Sequence, residues 1–263
     1  MVSPSGPFQL PCGYFLHIFD VLESTMDEAY KLAKAGAPAG TIVLAQRQTK
    51  GRGRLGRPWV SLMGNLFISL IFRPTCPLSR VSELGFLLAH SVGLALSACT
   101  SSSLEVHYKW PNDILLGNRK IAGLLLEAEL SADMLASSSP QWLVVGLGLN
   151  LKSAPEDVGY PVTSLQAEGF SVSPSRFLSF LCLEIDHLLT QWGDQGFSPI
   201  REAWLSKAWG IGREMTLLRG KEKITGFFET IAPDGSIILK NEEGARYQMA
   251  TGEILLGLQQ NSN

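Results

Sequence analysis

The chain has 263 residues, 45% hydrophobic and 17% charged, with a formal net charge of −2. That length buries a large core in one domain, or in one large and one small, and the slightly acidic total excludes bulk electrostatic binding to nucleic acid or to a membrane. Cys12, Cys76, Cys99 and Cys182 are scattered, with no C-x-x-C pair and no His at metal spacing, so neither a disulfide framework nor a protein metal site is expected. A reducing cytoplasm is the default setting.

Residues 1–13 hold Pro4, Pro7 and Pro11 and read as a loose leader, not a secretory signal. Gly13 to Phe19 reads as a strand. Ser24 or Thr25 then caps a helix from Met26 to Ala35, with Asp27 and Glu28 in its first turn; the two hydroxyls serve as caps alone or as ligands at a helix N-terminus. Thr41–Ala45 and Asn65–Phe72 read as strands, and Ser79–Cys99 as a long amphipathic core helix, its apolar run broken by His90 and Ser91. Val106–Trp110 is a strand, and Ile114–Leu116 with Lys120–Glu127 forms a hairpin about Gly117-Asn118. Trp142–Asn150 is a further strand, in which small residues mark a place where something packs closely on the backbone. Its apolar run Leu143–Leu151 is expected at a sheet edge, where a second copy could pair as a homodimer. A connecting loop over 152–172 precedes helices over Ser175–Trp192 and Pro199–Trp209.

Beyond Gly210 the texture changes to short β-runs, Glu214–Leu218, Lys223–Ile231, Ser236–Leu239 and Ala245–Ala250, with turns at Pro233-Asp-Gly235 and Asn241–Gly244. This predicts an α+β chain: a mixed β-sheet flanked by helices over 1–210 and a small β-barrel over 211–263, with the last few residues disordered.

The stretch from Gln46 to Trp59 places Arg47, Lys50, Arg52, Arg54 and Arg57 among Gly51, Gly53 and Gly56. Neither a helix nor a packed strand is comfortable there, so a mobile cationic loop is expected. Arginine forks and close backbone approach suit a carboxylate or phosphate. Gly51-x-Gly53-x-x-Gly56 matches the dinucleotide fingerprint but fails on context, because Pro58 and a strand follow where a helix should open, and no Asp or Glu occurs between Glu28 and Glu83. The Gly-Lys-Ser/Thr ending of a phosphate-binding P-loop is also missing. Alone, the cluster reads as a solvated basic turn or a nucleic-acid grip.

Three polar stations accompany the loop: Lys109-Trp-Pro-Asn-Asp113, Arg119-Lys-Ile-Ala-Gly123 and Gly146-Leu-Gly-Leu-Asn150. Together with Ser24-Thr25 and Gly-Arg-Gly-Arg-x-Gly-Arg-x-Trp, they closely resemble the biotin protein ligase family over residues 14 to 150, and the terminal barrel fits that family's SH3-like domain by position and texture. The resemblance implies a biotin/lipoate ligase-like catalytic domain that uses ATP and Mg²⁺ to make biotinyl-5′-AMP. It also implies transfer of the biotinyl group to a lysine of a biotin carboxyl carrier domain of a carboxylase such as acetyl-CoA carboxylase.

Carried over by motif, the resemblance implies that Ser24, Thr25 and Gln48 fix biotin's polar ring, and that Gly51, Arg52, Gly53 and Arg54 fold over biotin and the adenylate, ordering when biotin binds. Lys120 is the implied catalytic charge, with Arg52 and Arg54, and Gly123 allows close approach on the same strand. Arg57, Trp59, Lys109, Asn112 and Asn150 fall on the nucleotide side, with Arg54 and Lys120 shared; Asn150 would read the adenine edge. Asp113 is implied to hold or deprotonate the acceptor lysine. Family members often carry asparagine where this chain has Met26, so a backbone contact with biotin is expected there. About a dozen residues precede the first strand, so a single-function ligase without DNA-binding capacity is expected, with no nucleic-acid or membrane partner. The rival readings are a lipoate or octanoate ligase or transferase of the same fold and, from another class, a nucleic-acid-binding module.

Overall fold

A computed structural model describes residues 8–100, 104–129, 138–156 and 158–255. In chain order the elements are β1 (Phe15–Leu22), α1 (Thr25–Lys34), β2 (Thr41–Gln48), β3 (Leu66–Phe72), α2 (Val81–Thr100), β4 (Val106–Lys109), β5 (Asp113–Leu116), β6 (Arg119–Ala128), β7 (Leu143–Leu149), α3 (Pro174–Gln195) and α4 (Ser198–Leu205). They are followed by β8 (Glu214–Arg219), β9 (Glu222–Ile231), β10 (Ile237–Lys240), β11 (Arg246–Met249) and β12 (Glu253–Leu255).

Seven strands form one sheet in the order β1-β2-β3-β7-β6-β5-β4, with β1 parallel to β2 and the other pairs antiparallel. The period of two along each strand sorts side chains between the two faces. Ile42, Leu44, Ile68, Leu70, Val145 and Leu147 meet α2, α3 and α4 in the main core. Val43, Ile71, Val144 and Leu125 meet Met26, Ala29 and Ala33 of α1 on the other face. Each fully buried leucine or phenylalanine contributes about 2 kcal/mol, so the thick α2/α3 layer carries most of the stability. The thinner α1 layer leaves room for a ligand. The α2 region, over Leu78–Thr100, is long and apolar enough to cross a membrane, yet 67% of its apolar window is buried inside the protein, as expected of a core helix.

The expected mixed sheet, flanking helices and C-terminal β-unit are present. Three differences carry information. First, β7 lies between β3 and β6 at the centre of the sheet, so Leu143–Leu151 is not an edge and offers no pairing surface for a second copy. A near-continuous apolar run marks a strand covered on both faces. Second, α4 stops at Leu205 because the chain leaves the helix to pair with β4: Tyr108 N–H donates to Lys207 O at 2.9 Å and Trp209 N–H to Tyr108 O at 2.8 Å. Third, the C-terminal sheet has order β11-β10-β9-β8-β12, and its closing strand β12 was not anticipated. The expected disorder of the final residues lies largely outside the described residues, as does most of the expected leader.

Candidate active site

A cavity of about 340 Å³ opens on the α1 face of the large sheet. Its floor is cleared by Gly146 and Gly148 of β7 and Gly123 of β6. A β-carbon on Gly148 would overlap the Trp59 ring, and one on Gly146 would stand 2.8 Å from Met26 Sδ. These are the close packings that the glycine-rich strand implied.

One end of the cavity is neutral and fully bonded. Ser24, extended at φ −153°, caps α1 by accepting from Met26 N–H at 3.2 Å. Thr25 donates from N and Oγ1 to Gln48 Oε1 at 2.8 and 3.1 Å, and Ser69 Oγ donates to Thr25 Oγ1 at 2.8 Å. The network locks the rotamers of three short polar side chains on buried backbone. Ser69 had no sequence signal beyond an alternating strand.

Above this end lies the arginine stretch, which is not an open loop. It folds as a small hairpin: Gly53 N–H donates to Arg57 O at 2.7 Å, Trp59 N–H to Gly51 O at 2.8 Å, and a 3-10 turn spans Arg54–Gly56. Its Arg52 and Arg57 are paired with carboxylates that lie far away in the chain. Arg52 pairs with Asp27 at 2.7 Å and Glu127 at 3.3 Å and reaches Ser24 Oγ at 3.1 Å. Tyr30 OH donates to Glu127, whose carboxyl is pushed up by burial and by the neighbouring charge of Asp27. Arg57 pairs with Glu253 of β12, and Lys50 with Glu23 at 2.9 Å.

The other end is cationic. Lys120 Nζ sits 2.6 Å from Asp113 Oδ1 and lies 5.3 and 5.4 Å from the ring centroids of Trp59 and Tyr160, within cation–π range. Arg54 has no carboxylate partner among the described residues; it reaches Gly252 O at 3.1 Å and Asn112 Oδ1 at 3.5 Å, and burial lowers its pKa. Lys109, at 8% exposure, makes no side-chain hydrogen bond or ion pair among the described residues. Burial lowers its pKa although Asp113 acts the other way. Among the described residues lining this end, Arg54, Arg57, Lys109 and Lys120 face Asp113 and Glu253 alone as carboxylates, a net surplus of two positive charges.

All the expected site residues except Gly51 and Asn150 line this cavity. Gly51 lies behind the wall, closing the hairpin through its carbonyl. Asn150 is also behind it: Nδ2 donates to Thr163 O at 3.0 Å, and Oδ1 is buried without a partner, as is Trp59 Nε1. Asn150, expected on the nucleotide side, thus stands behind the lining residues and braces β7 against the following loop. The structure adds Tyr160, Glu253 and the Gly252 carbonyl, on segments too short or irregular for a periodic signal.

Comparison with known proteins bears on what such a cavity serves. Residues 18–150 match the biotin/lipoate A/B protein ligase family, and residues 210–257 match the biotin protein ligase C terminal domain. The chain is 36% identical to the biotin–[acetyl-CoA-carboxylase] ligase of Paracoccus denitrificans, covering 89% of this chain and 98% of that one. The chain belongs to the biotin protein ligase family. A further relative, the bifunctional ligase/repressor BirA of Bacillus subtilis, is 33% identical over 93% of this chain and 75% of its own. The biotin protein ligase from Aquifex aeolicus in complex with biotin and ATP superposes with a TM-score of 0.76 at 30% identity, covering 91% of this chain and 97% of that one.

Proposed function

We propose that the protein activates biotin with ATP and transfers it to a lysine of a biotin carboxyl carrier domain, that of acetyl-CoA carboxylase or a related enzyme, in the cytoplasm. In the first step a carboxylate oxygen of biotin bonds to the α-phosphorus of ATP, the bond to the α,β-bridging oxygen breaks, and biotinyl-5′-AMP and pyrophosphate form. In the second the acceptor amine bonds to the acyl carbon, AMP leaves, and the amine's proton is lost to solvent or a local base. We assign the first reaction to the large sheet domain, residues 1–210, with the C-terminal domain, 211–263, closing the site through Gly252 and Glu253.

The observation that carries this reading is the division of one cavity into a neutral hydrogen-bonding end and a cationic end. A ureido ring needs fixed donors and acceptors, which Ser24, Thr25 and Gln48 supply. A triphosphate needs surplus positive charge, which Arg54, Lys109 and Lys120 supply, with Arg57, Trp59 and Asn112 around them. Lys120, between the two ends, is suited to stabilising charge on the attacking carboxylate and the α-phosphate. When it turns to those anions, Asp113 is released to receive the acceptor lysine. The Gly51–Arg54 hairpin, with Arg52 and Gly53 over the ring, shields the acyl-adenylate from water. Asn150, with its orphaned oxygen, serves adenine only if the wall before it moves.

Mg²⁺ enters with ATP as substrate. The protein's own part is positive charge and positioning, from Arg54, Lys109 and Lys120.

The test is ATP–pyrophosphate exchange with magnesium–ATP and, in parallel, biotin, lipoate, octanoate or no acid. Exchange dependent on biotin is expected. Exchange with lipoate or octanoate instead would move the chain to the sister activity, for which the hydrogen-bonding end has no use.

A further inference from the structure

Gly146 and Gly148 lie on the same face of β7 and each meets a different cavity wall. Gly148 accommodates Trp59. Gly146 accommodates Met26. A β-carbon at 146 would stand 2.8 Å from Met26 Sδ and 3.3 Å from its Cγ, but 3.8 Å from the next neighbour, Leu125 Cβ. The backbone at Gly146 is not left-handed, so the need for glycine there comes from Met26 and not from φ.

Met26 is 3% exposed, and apart from the cavity it is enclosed by the small core of Ala29, Val43, Leu125 and Val144. It also follows Thr25, whose backbone N–H and hydroxyl are held by Gln48, so the helix start cannot slide to make room. Anything that displaces the thioether therefore drives it into the neutral end of the cavity, where the ring is received. Interiors are packed too densely to absorb a methyl group elsewhere.

Resting on the biotin reading above, we propose that Met26 and Gly146 act as one size-matched pair that sets ring selectivity. Glycine at 146 lets the thioether lie back against β7, which leaves the space that a fused bicyclic ureido acid requires. Alanine at 146 shrinks that space. A monocyclic ureido acid of the same chain length, which lacks the sulfur-containing ring, loses much less.

The experiment compares kcat/KM for biotin and desthiobiotin in ATP–pyrophosphate exchange for the wild type, Gly146→Ala, and Gly146→Ala with Met26→Ala. A misplaced methyl group in an apolar pocket changes kcat/KM by about 10-fold or more. Gly146→Ala is expected to lower the biotin value about tenfold and the desthiobiotin value by less than about threefold, and the added Met26→Ala to restore most of the lost ratio. Should Gly146→Ala prove too unstable to purify, Met26→Phe enlarges the same wall from the helix side and carries the same expectation. An unchanged ratio, an equal fall with both acids, or no rescue by Met26→Ala would overturn the pair while leaving the ligase reading in place. Absence of biotin-dependent exchange in the wild type would overturn that reading and the pair with it.

Discussion

The two ends of the cavity are built on opposite energetic plans. At the neutral end Thr25 donates to Gln48, Ser24 accepts from Met26 N–H and from Arg52, and Arg52 is neutralised by Asp27 and Glu127. At the cationic end the largely buried Lys109 makes no ion pair among the described residues, and Arg54 leans on a carbonyl and an amide. A satisfied buried network adds to stability, while an uncompensated buried ammonium costs several kcal/mol before relaxation. One end is thus preorganised for a neutral ring, and the other stores unfavourable charge that an arriving anion relieves.

Single substitutions at the two ends should have separable effects. Lys120→Ala, at the junction, removes the charge offered to both substrates, and biotin-dependent exchange should fall about 10²–10³-fold, or about 3–4 kcal/mol. The measurement is the exchange rate at saturating biotin and ATP; a rate near wild type would mean that another group supplies the charge. Gln48→Leu opens the neutral network and leaves Thr25 N–H and Oγ1 without their acceptor, so KM for biotin should rise about 10-fold or more while KM for ATP holds. Equal rises in both constants would show that the ends are not separable.

Lys109→Met tests the stored charge with two readouts of opposite sign. KM for ATP should rise about tenfold, while the free protein should gain about 1 kcal/mol of stability because a costly buried charge has gone. Burial lowers this lysine's pKa in the folded state. The unfolded chain therefore holds its proton to higher pH, and wild-type stability recovers as pH rises from the folded value toward about 10.4. The advantage of Lys109→Met should accordingly shrink across that alkaline range in thermal melts, and an advantage independent of pH would contradict the assignment.

The smallest effect is expected from Glu253→Gln. Its partner Arg57 is 60% exposed, so the ion pair contributes less than about 1 kcal/mol. The cationic end would gain one net positive charge, and KM for ATP at low salt should fall about twofold. A rise in KM would mean that Glu253 is needed to aim Arg57.

Much of this was legible in the sequence because local signals agreed. Apolar runs bounded by turn residues marked the strands of the large sheet, Ser24 and Thr25 marked the start of α1, and the motifs converge on one face because β6 and β7 are neighbours. What was not legible depends on contacts made across long chain separations. The placement of β7 at the sheet centre could not be read from Leu143–Leu151, since apolar alternation is lost when both faces are covered. The cationic stretch looked like an open loop because its carboxylate partners, Asp27, Glu127 and Glu253, come from α1, β6 and β12. Asn150 carried a motif position but not its orientation, which the carbonyl of Thr163 decides.

The most direct test of the two-ended site is the salt dependence of binding by the wild-type protein, with Kd for biotin and for magnesium–ATP measured separately by calorimetry between 50 and 500 mM KCl. Screening weakens an exposed or half-open charge site far more than a network of neutral hydrogen bonds. Kd for magnesium–ATP should rise about tenfold or more while Kd for biotin changes by less than about threefold. Equal salt dependence for the two ligands would contradict the division of the cavity.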